Sequence, residues 1–414
     1  MMKFLVSMAA AALMVLGPAL APPGDAVAAE DGKKRGGMLS ERTYKRLTQV
    51  HELIGAEKYG EALKLMDPLY AGVGRNDYEK AIILQTYGFI YAARNQYREA
   101  IKYMEQCLAI DILPEQATNN LIYNVAQLYI AVEDYRKGLA TLKKWFASVE
   151  NPPADAFALA ATAHAQINEY RAAVPYIRKA VEASADPKES WFQLWLAMHY
   201  ELKEYPQAAL VLEEMVRRFP HQEKYWKQLS TIYLELKQDG KALSALELAH
   251  AQGFLRTENE LVQLANMYMY QGIPHEAAEV LQSGLDKGII APTRKHWEAL
   301  GNAYMEAREN DKAIPALQKA ADASDGGDID LRVAYLYLEK EQWDKAADAL
   351  SNAIRKGDLS DPGMAYLLLG MASYERKQYE DALKHFGQAQ NFDKRKDQAA
   401  QWINHIQSEL AAVN

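Results

Sequence analysis

The chain has almost no cysteine. Cys107 is the single one in 414 residues, so no disulfide closes within the chain and no thiolate cluster can hold a metal. Proline and glycine are scarce too, at 15 and 23 residues, which argues against extended disorder or a loop-dominated fold. No basic excess exists: the formal charge is −8 and charges of both signs are interspersed, so a nucleic-acid partner is not expected. Catalytic patterns are missing as well. The nine histidines make no H-E-x-x-H spacing, and neither a Gly-rich phosphate loop nor a nucleophile elbow occurs. Neither an enzyme, a metal site nor a cofactor is therefore expected.

Long apolar runs are confined to the N-terminus. Lys3 precedes an apolar stretch from Phe4 to Leu16, followed by small-x-small sites at Ala19-Leu20-Ala21 and Ala26-Val27-Ala28, the layout of a secretory signal. The run is short for a membrane span and is broken by Gly17-Pro18. With no cysteine near a cleavage site to carry a lipid, the mature chain is expected to be periplasmic with no membrane span of its own. Cleavage after Ala28 or Ala29 leaves residues 1–29 as signal peptide and 30–39 as a flexible leader. The basic run Lys33-Lys34-Arg35 lies in that leader between Gly32 and Gly36, where it reads as a solvated linker.

What is present in abundance is a repeat. An aromatic or turn residue, two variable residues and a small residue recur as Tyr59-Gly60-Glu61-Ala62, Tyr97-Arg98-Glu99-Ala100 and Tyr379-Glu380-Asp381-Ala382. The small residue returns at Gly138, Ala173, Ala208, Ala242, Ala277, Ala313 and Ala346, with intervals of 33 to 38 residues. A period of that size means stacked supersecondary units. Within the copy from Ile82 to Ile110, apolar or small residues fall at helical spacing on either side of Asn95-Gln96-Tyr97, which predicts two amphipathic helices and a tight turn. Gly88 and Ala100 mark where the two approach, and the first-helix place is kept small by Ala126, Ala161, Ser230, Ala265, Gly301, Ala334 and Gly370. The second helix opens on Tyr59, Tyr97, Tyr135, Tyr170, Tyr205, Trp343 or Tyr379, and on Asp239, Pro274 and Asn310 in three copies.

Two other residue types fall under the same pattern. His164 and His199 stand where other copies carry Tyr91, Tyr129, Tyr233, Tyr268, Tyr304 and Tyr337, so they read as substitutes for tyrosine. Cys107 stands where others carry Ala180, Ala249 and Ala320, so it reads as a small buried filler.

Trp297-Glu298-Ala299-Leu300-Gly301-Asn302-Ala303-Tyr304 followed by Ala313, Leu317 and Ala320 resembles the signature of the tetratricopeptide repeat. Trp226-Leu229-Tyr233-Ala242-Leu246-Ala249 and Tyr366-Leu369-Gly370-Ala382-Phe386-Ala389 resemble it too. The resemblance implies an all-α, right-handed α-solenoid of about ten helix-turn-helix repeats over residues 40–393. Residues 394–414 are expected to form a C-terminal capping helix, with Ala399, Trp402, Ile403 and Ile406 turned inward.

The resemblance further implies that the first helices line a groove for a peptide or helix. In register, the groove-facing positions include Asn120, Tyr123 and Gln127, then Gln193, then Lys224 and Lys227, then Asn259 and Asn266, then Lys295 and Asn302. Carboxamides suit the reading of a peptide backbone, and the three lysines suit a carboxylate. Lys224, Lys227, Asn259, Asn266, Lys295 and Asn302 form the expected centre.

One phrase is more distinctive. Ser40-Glu41-Arg42-Thr43-Tyr44-Lys45-Arg46-Leu47, then His51-Glu52-Leu53-Ile54 and Tyr59-Gly60-Glu61-Ala62-Leu63, is similar to the start of exported tetratricopeptide-repeat proteins that accompany some TonB, ExbB and ExbD systems of Gram-negative bacteria. That likeness implies a periplasmic scaffold accessory to outer-membrane uptake of iron chelates, with TonB, ExbB or ExbD components as partners. An adaptor for envelope assembly, secretion or exopolysaccharide export is the alternative for the same groove. Proton translocation would belong to the partners, because nothing here supplies an intramembrane carboxylate.

Overall fold

The computed structural model describes residues 37–413. The signal-like segment 1–29 and the leader up to residue 36 lie outside them. The described residues form 21 helices and no strand, and none of these helices is long and apolar enough to cross a membrane.

The chain divides between Phe219 and Pro220 into two compact units. The first holds α1 (Glu41–Gly55), α2 (Tyr59–Ala71), α3 (Asp77–Ala93), α4 (Tyr97–Ile110), α5 (Glu115–Ala131), α6 (Tyr135–Ser148), α7 (Ala154–Gln166), α8 (Tyr170–Glu182), α9 (Glu189–Glu201) and α10 (Tyr205–Arg218). The second holds α11 (Glu223–Glu235), α12 (Asp239–Ala251), α13 (Glu258–Tyr270), α14 (Pro274–Asp286), α15 (Arg294–Glu306), α16 (Asn310–Asp322), α17 (Asp328–Glu339), α18 (Trp343–Lys356), α19 (Pro362–Glu375), α20 (Tyr379–Ala389) and α21 (Lys396–Val413). Within each unit odd and even helices pair as hairpins, and each second helix packs on the next first helix in chain order. Every second helix opens on the residue the repeat singles out, from Tyr59 to Tyr379.

Ten turns of one design join the hairpins. The residue two places before each second helix is left-handed: Glu57, Asn95, Glu133, Asn168, Lys203, Lys237, Gly272, Arg308, Glu341 and Lys377. The next N–H then reaches back to a carbonyl of the first helix, as Gln96 N to Tyr91 O and Gln238 N to Tyr233 O, at 2.9 and 2.8 Å. This closure satisfies carbonyls that the helix end leaves unpaired. Nine of the ten residues are not glycine, so a local cost of about 1 kcal/mol each is outweighed by the packing of the pair.

How closely the two helices approach follows from one side chain. Where it is Gly88, Gly301 or Gly370 the pair is most intimate; a Cβ at Gly301 would lie 2.5 Å from Leu317 Cγ, and one at Gly370 would lie 2.7 Å from Phe386. Alanine allows an equally extensive pair at Ala161, and alanine or serine gives a less extensive one at Ala126, Ser230, Ala265 and Ala334. Val50 in the first hairpin and Leu196 in the fifth give the two least extensive pairings, as steric bulk at a crossing requires.

The core is a row of clusters within each unit. In the first, Leu47, Met66, Ile83 and Ile90 pack beside Leu84, Met104, Leu121 and Leu128. In the second, a cluster runs from Leu243 to Ala372. Cys107 is buried with Sγ 3.1 Å from Ala81 O, and burial pushes its thiol up to about 12, which makes it the inert filler that its place in the repeat implies. Past α20, Trp402 of α21 stacks on Phe386 with ring centroids 5.5 Å apart, while Ala399 and Ile406 are fully buried.

Candidate functional site

Two openings lie among the first helices of the second unit: a more polar one of about 560 Å³ between α15 and α17, lined by Arg294, Glu298, Asp328 and Arg332, and a more apolar one beside α13. The latter is an open groove of about 440 Å³ bordered by Leu234 at the end of α11, Asp239 at the start of α12, and Asn259, Val262, Asn266, Met267 and Tyr270 of α13. The junction of α12 with α13 is the least extensive between successive hairpins of that unit, and this leaves the wedge open. Tyr270 is 77% exposed and Leu234 37%. An aromatic ring standing in water beside an aliphatic side chain is the uncommon feature here. Asn259 and Asn266 are exposed on the same helix, about two turns apart, with no side-chain partner among the described residues. Their amides stay available to a peptide backbone.

The lysines and the third carboxamide behave differently. Lys227 Nζ donates to Glu223 at 2.6 Å and also to Glu260 of the next hairpin. Burial pushes Glu260 up, but the Lys227 ammonium and the N–H groups of Arg256 and Thr257 outweigh it and hold the carboxyl down to about 2. Glu260 also closes the capping box of α13 with Thr257. Lys227 is thus committed to fixing α11 against α13 and is not the open cation that its position in the sequence implied. Asn302 is engaged as well: its Oδ1 accepts from Arg332 Nη1 of α17 at 2.8 Å, while Arg332 Nη2 and Arg294 both hold Glu298. Lys224 lies over the ring of Tyr225, 4.6 Å from its centroid. Lys295 is exposed.

Of the four groove residues expected in the first unit, Asn120, Tyr123 and Gln127 share α5 and Gln193 lies on α9. Asn120 is exposed. Tyr123 stacks on Trp145 with centroids 4.6 Å apart, burial raises its phenol to about 12, and the Gln127 side chain bonds to it. Gln193 Nε2 donates to Glu189 Oε1 at 2.9 Å. Tyr123 and Gln127 therefore act in packing as much as in presenting a surface. The structure brings together Asn259 and Asn266, and adds to them Leu234, Val262 and Tyr270, which the repeat register had not selected. The run Tyr268-Met269-Tyr270 carried the missing signal: Tyr268 fills the repeat's tyrosine place, so nothing in the repeat requires a second aromatic ring at Tyr270.

Among the described residues no group of three or more His, Cys, Asp or Glu is placed to hold a metal ion. Stacked hairpins with small crossing residues, left-handed turns and a first-helix face define a helical-repeat interaction protein. The chain belongs to the tetratricopeptide-repeat family: models of that repeat match residues 158–223, 262–328 and 331–404, and another matches residues 81–111, together more than half of the chain. The architecture is accordingly the solenoid-like stack of that family.

Solved structures similar to it include that of MamA, at 22% identity over 42% of this chain and 94% of that one, with a TM-score of 0.34. A tetratricopeptide repeat protein from Parabacteroides merdae is 12% identical over 64% of this chain and 99% of its own, with a TM-score of 0.38. The Cut9–Hcn1 hetero-tetramer of the APC/C is similar at 13% identity over 90% of this chain and 91% of that one, with a TM-score of 0.27. No curated protein matches the chain by sequence.

Proposed function

We propose that the chain is a non-enzymatic periplasmic scaffold that seats a segment of a partner protein along α13, as an accessory of a TonB–ExbB–ExbD complex serving uptake of iron chelates across the outer membrane. The observation that carries the binding role is the exposed Tyr270 ring beside Leu234, with the uncommitted amides of Asn259 and Asn266 on the same groove. An apolar partner side chain packs on the ring and the aliphatic wall, and the amides take its backbone groups. Repeats of this family mediate protein–protein contact, which supports the scaffold role. The TonB assignment rests on the phrase from Ser40 to Leu63 and on the signal-like N-terminus.

Crosslinking in the periplasm followed by recovery of the tagged chain tests both parts. Wild type is expected to bring down TonB-system proteins, and Tyr270→Ala with Asn266→Ala is expected to lose them while keeping its helical circular dichroism. Recovery of other envelope proteins, lost in the same variant, would keep the groove and discard the TonB role. Unchanged recovery in the variant would discard the groove.

A further inference from the structure

Neighbouring hairpins are tied by a recurring side-chain bond. After α2, α4, α12 and α16 the residue eight places past the start of the second helix pairs with a tyrosine of the next first helix, whereas Gln282 of α14 and Ser351 of α18 bond within their own helices. Asp67 accepts from Tyr87 at 2.7 Å, Glu105 accepts from Tyr129, Glu247 bonds to Tyr268, and the Gln318 amide donates to Tyr337 at 3.0 Å. In α6 and α8 the same place holds Lys143 and Arg178. The first helices that follow carry His164 and His199 in place of tyrosine, and each ring turns back to its own hairpin turn. His164 Nδ1 lies 2.8 Å from Glu169 Oε2 and His199 Nδ1 lies 2.9 Å from Glu204 Oε2. Acceptor and donor have changed together, twice in succession.

The exchange gathers positive charge. Helix α6 carries Arg136, Lys137, Lys143 and Lys144 and no acid, and α8 carries Arg171, Arg178 and Lys179 against Glu182 alone. These cations are separated along the sequence and so do not register as a basic run, yet all seven are exposed. Lys137 pairs with Asp134 at 3.3 Å and Arg136 approaches Glu169 at 3.9 Å; the Arg178–Glu182 pair is 3.5 Å apart with both side chains mostly in water, and Lys143, Lys144 and Arg171 have no carboxylate partner among the described residues. Solubility alone does not account for the arrangement. Ala140 and Ala172 are exposed on the same helices and offer places for charge that would leave the tie between hairpins intact.

We propose that the exposed face of α6 and α8 is a second docking surface whose occupant is an acidic protein segment rich in Asp and Glu. Lys143, Lys144 and Arg171, which no carboxylate holds, attract such a segment, and the solvent-exposed pairs around them can exchange their own acids for it. A lipid surface is disfavoured because none of the large exposed apolar side chains lies on α6 or α8, which leaves nothing to enter the acyl boundary. The surface belongs to second helices of the first unit and does not rest on the groove along α13.

The test is fluorescence anisotropy of a labelled oligoglutamate peptide with the full chain. Wild type is expected to bind at low salt and to weaken steeply as salt rises. Lys143→Gln, Lys144→Gln, Arg171→Gln and Arg178→Gln together are expected to raise the dissociation constant about tenfold or more. A control with the same charge removed elsewhere, Lys58→Gln, Lys64→Gln, Lys237→Gln and Lys384→Gln, is expected to stay within about twofold of wild type. No binding by wild type, or equal loss in both variants, would overturn the proposal. So would binding to phosphatidylglycerol vesicles, lost in the first variant, when the peptide does not bind.

Discussion

At the scale of single residues, what a side chain can offer a partner is decided by the next repeat. Lys227 and Asn259 both fall at groove-facing places of their first helices, yet Lys227 is held by Glu223 and Glu260 while Asn259 is open. Glu260 makes a sharp test, because it joins a cap, an inter-hairpin ion pair and a depressed carboxyl. Its folded-state value of about 2 lies below the ordinary 4.5. Ionised Glu260 therefore contributes fully above pH 4.5, and the contribution fades as pH falls toward 2. Glu260→Gln is expected to lose about 1–2 kcal/mol at neutral pH after allowance for solvent screening. The gap between variant and wild type, read from urea unfolding at several pH values, should narrow below pH 4.5. A gap that stays constant down to acid pH would show that the charge is not what matters.

At the scale of helices and hairpins, the sequence was legible wherever a feature repeats within one copy. The second-helix openings, the crossing residues and the buried Cys107 follow from a single register. The tight turns were legible too, but their left-handed residue was not, because nine of the ten are polar or charged non-glycines. Pairings between copies were also hidden: Arg332 lies 30 residues from Asn302, and only three-dimensional stacking makes them neighbours. The exchange of tyrosine for histidine is the clearest case. His164 reads as a lone substitution until Lys143 is seen in the acceptor's place. Restoring both partners should restore the tie. Lys143→Glu with His164→Tyr is expected to be about 1 kcal/mol more stable than the sum of the two single changes predicts. A double-mutant cycle by thermal unfolding measures that coupling, and additivity would mean that the α6–α7 junction is held by packing alone.

At the scale of the whole molecule, a stack of hairpins is stabilised by nearest-neighbour interfaces, so its last member must end in something other than another repeat. Helix α21 fulfils that role. It covers Leu367, Ala382, Phe386 and Ala389 with Ala399, Trp402 and Ile406, while Tyr374 of α19 donates to Glu409 at 2.9 Å. Its remaining surface is mostly Asp, Asn, Gln and Ser, which suits an end exposed to water. Trp402 is the hinge of the arrangement because its ring lies nearly parallel to Phe386, at 3°. Trp402→Ala leaves Phe386 with one face uncovered and is expected to destabilise the C-terminal hairpin by about 2–3 kcal/mol. Since each interface supports its neighbour, the loss should spread from the end inward. Amide exchange is expected to quicken most in α19, α20 and α21, less in α17 and α18, and not at all in α1 to α10. Uniform acceleration across all helices would instead mean that the array opens as a single cooperative block, and that α21 is no local cap.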